Sequence, residues 1–257
     1  MMADRTRTVF VTGAGSGIGL ATAERFLAAG WNVGALDRNG ERLRESLPGD
    51  DPHLALFTGD TTDRAGVAAA AGETAARFGG LDAVFANAGI HQVNTLETIT
   101  EADLDRIIAV NIKGTVNTLQ AALPHLRAAG GGAMVINASD QALIGKRSSL
   151  GYGLTKGALG QMTKSLALDL GGENIRVNAV CPGTIRTNLG EEAFRELLRN
   201  HPDFDVEQAL KQEAEQYPVK RIGEPADVAG LVFFLCSNEA AFITGSLYSV
   251  DGGLTAQ

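Results

Sequence analysis

The chain has 257 residues, enough for one large α/β domain with a sizeable core, and its 32 glycines, sparse aromatics and ordinary apolar content exclude a fibrous or disordered protein. A formal net charge of −8 without any basic block disfavours nucleic acid or an anionic membrane as a partner. Two cysteines, Cys181 and Cys236, are too few for a disulfide framework and lack ligand spacing, and the four histidines form no His-x-x-x-His pair, so no metal is expected and the thiols read as buried groups of a reducing, cytoplasmic compartment.

Met1 to Arg7 lead into a short apolar segment that soon meets glycines, so no signal-peptide core is expected, and no apolar run is long enough to span a bilayer. Thr8 to Thr12 reads as a buried first strand that ends directly in Gly13-Ala14-Gly15-Ser16-Gly17-Ile18-Gly19, with an amphipathic helix from Leu20 to Ala29 closed by Gly30. Strand, glycine turn and helix in that order bring free backbone N–H groups and a positive helix end to where a pyrophosphate can sit. Trp31 to Asp37 reads as the second strand. A carboxylate at its end can accept hydrogen bonds from both hydroxyls of an adenosine ribose, which favours NAD, whereas the guanidinium of Arg38 could bind the 2′-phosphate of NADP. Leu54 to Thr58 is a third strand, and Asp60 or Asp63 suits the N-cap of the Ala-rich helix that follows. Ala83 to Asn87 is the fourth strand, ending in Asn87-Ala88-Gly89.

Glu101 to Ala128 carries a long helical pattern, in which Asn111 reads as a buried polar residue bonded to its own backbone and Pro124 as a bend near the end. Ala133 to Ala138 is the fifth strand and delivers Ser139 to its carboxyl end, where ligands bind in open α/β sheets. Tyr152 opens a periodic helix running to Leu170, and Lys156, four positions on, lies over it on the same face. A cation beside a phenol favours the phenolate, and a hydroxyl such as Ser139 can hold a substrate oxygen, so the trio reads as an acid–base centre. Ile175 to Cys181 is a sixth strand, followed by Pro182-Gly183-Thr184-Ile185-Arg186-Thr187. Gly190 to Val219, rich in mixed charge and with Phe194, Leu197 and Leu198 at helical spacing, reads as one or two surface helices and as a lid over the substrate, around 188–219. Pro225 to Cys236 is a further helix and Gly245 to Val250 the last strand. No repeat or linker divides the chain, so one domain spanning 1–257 is expected, a Rossmann-type doubly wound parallel sheet with helices on both faces.

With Tyr152, Lys156 and the glycine turn together, the sequence resembles the short-chain dehydrogenase/reductase family in its compact classical form, from Thr12 to Gly253. The resemblance implies a catalytic set of Asn111, Ser139, Tyr152 and Lys156, with Asn111 holding a water that links Lys156 to solvent and Lys156 lowering the tyrosine pKa. It implies cofactor contacts from Gly13, Ser16, Gly17, Ile18, Gly19, Asp37, Arg38, Asp60, Thr61, Asn87, Ala88, Gly89, Pro182, Gly183, Ile185 and Thr187, besides Tyr152 and Lys156. It also implies subunit contacts in the final elements, commonly in a homotetramer. The family usually has Asn-Asn-Ala-Gly where this chain has Ala86, so one amide that ties the central sheet is expected to be missing.

The activity expected is NAD-dependent interconversion of a secondary alcohol and a ketone. His91, Gln92, Gln141, Lys146, Arg147 and Arg186 are the candidate substrate residues, suited to a small hydroxy acid or a sugar-derived molecule. An NADPH-dependent carbonyl reductase and a non-catalytic nucleotide-binding regulator are the alternatives.

Overall fold

The structure is a computed structural model, and residues 5–47, 49–187, 189–190 and 206–256 are described. Seven strands form one sheet, β1 (Thr8–Thr12), β2 (Asn32–Asp37), β3 (Leu54–Thr58), β4 (Ala83–Ala86), β5 (Gly132–Asn137), β6 (Ile175–Pro182) and β7 (Leu247–Val250). They lie in the order β3-β2-β1-β4-β5-β6-β7, and every pairing is parallel. The order reverses at β1, which pairs with β2 on one side and β4 on the other, so a crevice opens at the carboxyl ends of those strands.

Helices cover both faces, α1 (Gly17–Ala28), α2 (Gly40–Ser46), α3 (Arg64–Phe78), α4 (Glu101–Ile107), α5 (Gly114–Ala128), α6 (Leu150–Leu170), α7 (Val206–Gln216) and α8 (Pro225–Cys236). The pleat of β1 divides the core. Phe10 faces a layer made by α3, α5 and α6, while Val9 and Val11 face one made by α1, α2 and α8. On the second face Phe26 stacks edge-on against Trp31 and Phe233 at 4.9 and 5.1 Å, which ties α1 to α8.

Several boundaries differ from the sequence expectation for physical reasons. The first helix begins at Gly17, within the glycine turn, because glycines there turn the chain straight into helix. Asn39 caps an additional short helix, α2, accepting from the backbone of Arg42. Asp63, not Asp60, caps α3. The expected helix over Glu101 to Ala128 is divided by a π-helical stretch, Ile108–Lys113, and Pro124 lies inside α5 without interrupting it. The irregularity therefore falls at Asn111 rather than at the proline. Phe194, Leu197 and Leu198 lie outside the described residues, as does half of the expected lid, residues 188 and 191–205. What is described of that region is α7, whose following residue Tyr217 is buried against Gly183.

Candidate active site

The carboxyl ends of six strands, β1 to β6, converge on one cleft of about 520 Å³. At its floor the chain leaves β1 through Gly13, at φ +68°, and enters α1 through Gly17, at φ +54°. A Cβ on Gly19 would stand 2.0 Å from the carbonyl oxygen of Gly13, so no larger residue fits this turn. Ser16 occupies the N-cap position of α1 without making a side-chain cap bond, and the first turn holds no acidic residue. The opening N–H groups and positive end of the helix thus face the cleft, which Ser16, Gly17 and Ile18 line. This cradle fits a pyrophosphate.

Asp37, at the end of β2, is held by the backbone of Gly15 at 2.9 Å and that of Asn39 at 2.8 Å. Arg38 is exposed, and both it and Arg42 line the same end of the cleft, as do Asp60 and Thr61. Asn87, Ala88 and Gly89 line it from β4, and Pro182, Gly183, Ile185 and Thr187 from β6. The missing amide expected at Ala86 is supplied by its neighbours. Asn87 donates to the carbonyls of Thr12 and Gly13 at 3.0 and 3.2 Å, and Asn137 donates to the Asn87 Oδ1 at 2.8 Å. Ala86 itself packs into the core. The tie between β1, β4 and β5 is thereby complete.

Tyr152 stands in the first turn of α6, a helix whose start is fixed by Asn94, the Oδ1 of which accepts from the Gly151 N–H at 2.9 Å. Ser139, at the end of β5, is buried beside it and lowers the cost of ionising the phenol through a hydrogen bond. Desolvation nonetheless dominates and pushes the Tyr152 phenol upward, with the Asp140 charge adding to the rise. The lowering expected from Lys156 does not govern here. The Lys156 ammonium donates to the carbonyl of Asn137 at 2.7 Å and lies 5.4 Å from the tyrosine ring centroid, while burial lowers its own pKa to about 8.

Asn111 is buried, yet it does not bond its own helix through its side chain. Its Oδ1 accepts from the Ile90 N–H at 2.8 Å, and its Nδ2 donates to the Ile90 carbonyl at 3.0 Å and to the Thr155 hydroxyl at 3.1 Å. These bonds fasten the loop after β4 to α6, one residue before Lys156. The amide thus positions that loop, and Val110, not Asn111, lines the cleft.

Of the candidate substrate residues, His91, Gln141, Lys146 and Arg147 line the cleft. The His91 ring rests 4.6 Å from that of Tyr152, and burial, with Lys146 and Lys156 adding, holds its pKa down to about 4. Gln92 contacts Asn94, and Arg186 is exposed and paired with Glu224 at 3.2 Å, so neither belongs to the cleft lining. Arg186 is aimed at the N-terminus of α8 because Glu224 precedes that helix. Three further residues escape a sequence reading. Asn137 carries its signal in lying two before Ser139 at a strand end, whereas Glu213, on α7, and Tyr217, just after it, are remote in sequence.

Asp140 is buried, accepts the Ser139 hydroxyl at 2.9 Å and pairs with Lys146 at 2.7 Å. Burial opposes the Lys146 charge, but Asp140, with Tyr217 and Glu213 adding, outweighs it and raises that pKa. Glu213 accepts from the Thr184 hydroxyl at 2.7 Å and from the Tyr217 hydroxyl at 3.2 Å.

Residues 13–255 match the family model described as Enoyl-(Acyl carrier protein) reductase. The chain is 36% identical to 2-(R)-hydroxypropyl-CoM dehydrogenase of Xanthobacter autotrophicus over 261 residues, covering 98% of this chain and 99% of that one. It is 32% identical to levodione reductase of Leifsonia aquatica over 256 residues, covering 97% of this chain and 94% of that one. Among solved structures, the ligand-free aldohexose dehydrogenase of Thermoplasma acidophilum superposes with a TM-score of 0.88 at 34% identity, covering 98% of this chain and 95% of that one.

Proposed function

The chain belongs to the short-chain dehydrogenase/reductase family, oxidoreductases that use nicotinamide cofactors, and from that premise we propose that it interconverts a secondary alcohol and a ketone with NAD. The observation that supports this most is the convergence of Tyr152, Ser139 and Lys156 at a cleft whose other end is the uncapped glycine turn of α1. Residues of that turn would hold the pyrophosphate, Asp37 the adenosine ribose and Lys156 the nicotinamide ribose, and a nicotinamide bound there would supply the hydride acceptor.

Tyr152 is the acid in reduction and the base in oxidation. Burial, with the Asp140 charge adding, holds its phenol toward the protonated form, which suits it to deliver a proton to a carbonyl oxygen. Ser139 orients that oxygen. Asn111 acts as a positioning residue through Ile90 and Thr155. A lid formed around 188–219, a tetrameric assembly and a cytoplasmic location belong to the same proposal.

A second reading, NADPH-dependent reduction, draws on Arg38 and Arg42 beside Asp37. The two are separated by following reduced-nicotinamide absorbance with each dinucleotide across secondary alcohols and their ketones, beside a Tyr152→Phe variant. The proposal expects turnover with NAD that falls about 10²–10⁴-fold in the variant while dinucleotide affinity is kept. Turnover with NADP alone overturns the assignment of Asp37, and an unimpaired variant overturns that of Tyr152.

A further inference from the structure

Among the described residues, every buried side-chain oxygen or nitrogen that lacks a hydrogen-bond partner belongs to this cleft. They are His91 Nδ1, Asn137 Oδ1, Gln141 Oε1 and Ser149 Oγ, together with the Asp140 oxygen that Lys146 approaches as an ion pair. Buried polar atoms without partners are costly, so a cleft that gathers them is shaped for a ligand that supplies the missing bonds. Asn137 lies against Lys156 and Asn87, toward the dinucleotide. The remainder, with Glu213, surround the substrate end.

The charges at that end decide what kind of polar ligand it takes. The Lys146 ammonium is committed to Asp140 at 2.7 Å, so the pair carries no net charge. Among the described residues Glu213 is a second carboxylate at this end, accepting from Thr184, Tyr217 and Gln216. Arg186 is turned away toward Glu224, and Arg147 is exposed at the rim. A substrate carboxylate here would lie near two acids, Asp140 and Glu213. A hydroxyl does not meet that repulsion. It donates to Glu213 or Gln141 and accepts from Lys146, which keeps two N–H donors beyond the one directed at Asp140.

We propose that the substrate is a neutral, hydroxyl-rich molecule of the aldose or cyclic-polyol class, recognised by Asp140, Gln141, Lys146 and Glu213. This rests on the nicotinamide-dependent reading above and replaces the hydroxy-acid half of the sequence expectation. An apolar alcohol would leave the three orphaned atoms of the substrate end, on His91, Gln141 and Ser149, buried without partners.

The test is calorimetric titration of the protein, first saturated with NAD or NADP, with aldohexoses, with the corresponding hexuronates and with cyclohexanol, followed by kcat/KM on the same compounds. The neutral hexose is expected to bind tighter than its uronate by about tenfold or more. Asp140→Asn, which frees Lys146, is expected to narrow that gap by improving uronate binding, and Glu213→Gln to narrow it by removing the repelling charge. Melting curves check that both variants fold. Equal or tighter binding of the uronate by the unaltered protein, preference for cyclohexanol, or binding of none of the sugars overturns the inference. A gap that neither folded variant alters overturns it too. Failure of the underlying reading shows separately, as absence of dinucleotide binding in the first titration.

Discussion

His91 is the titratable group through which acid acts on the folded cleft. Burial first, then the charges of Lys146 and Lys156, hold its pKa near 4, against about 6.5 in the unfolded chain. Between those values the unfolded state binds the proton and the folded state does not. Stability from this group is therefore complete above pH 6.5 and declines as pH falls toward 4, by about 3 kcal/mol at the full shift. Urea unfolding at pH 7 and pH 5 is expected to show a loss in the parent protein that is smaller in His91→Gln. Equal losses in the two would mean that the imidazole is not desolvated as the structure has it. The neighbouring residues show why only part of the site was readable from the sequence. Tyr152 and Lys156 announce themselves by a fixed spacing on one helix, and Ser139 by its place at a strand end. Asp140 gave no such signal, since its effect depends on burial and on Lys146 folding back over it. Arg186 was misplaced for the same reason, because its partner Glu224 lies far along the chain.

The turn between β1 and α1 concentrates the geometric demands of the cleft in one element. Gly19→Ala would drive a Cβ to 2.0 Å from the Gly13 carbonyl, a clash with backbone that no rotamer relieves. Chemical denaturation is expected to report a loss of ~2–3 kcal/mol, with dinucleotide affinity reduced in parallel. Gly230, exposed in the middle of α8, has nothing within 4 Å of where its Cβ would be. Gly230→Ala is expected to stabilise by ~0.4–1 kcal/mol through the unfolded chain and to leave turnover unchanged. Similar losses for the two alanines would contradict this account of the turn. The elements most legible in the sequence are those with a single dominant signal, namely the apolar strands and the periodic α6. The π-helical stretch was not legible. Its cause is tertiary, since the Asn111 amide reaches Ile90 and Thr155, and a one-dimensional pattern reads only a helix carrying a polar residue.

At the scale of the molecule, the sheet order reverses at β1, and that reversal is what gathers residues from Gly13 to Glu213 around one cleft. The alternation of strands and helices made the fold legible, because each apolar strand followed by an amphipathic helix permits little but a parallel sheet covered on both faces. The substrate end was less so. It is bordered by Glu213 of α7, and its character comes from charges that meet only in the folded chain. The central claim, the proposed NAD-dependent interconversion of a secondary alcohol and a ketone at Tyr152, is tested most directly by isotope. The protein is incubated with NAD and secondary alcohols deuterated at the carbinol carbon, and the dinucleotide is recovered for NMR. The account predicts deuterium on one face of the nicotinamide C4 and none with Tyr152→Phe over the same interval. Deuterium released to water, or retained by every alcohol while NAD is bound, would contradict it.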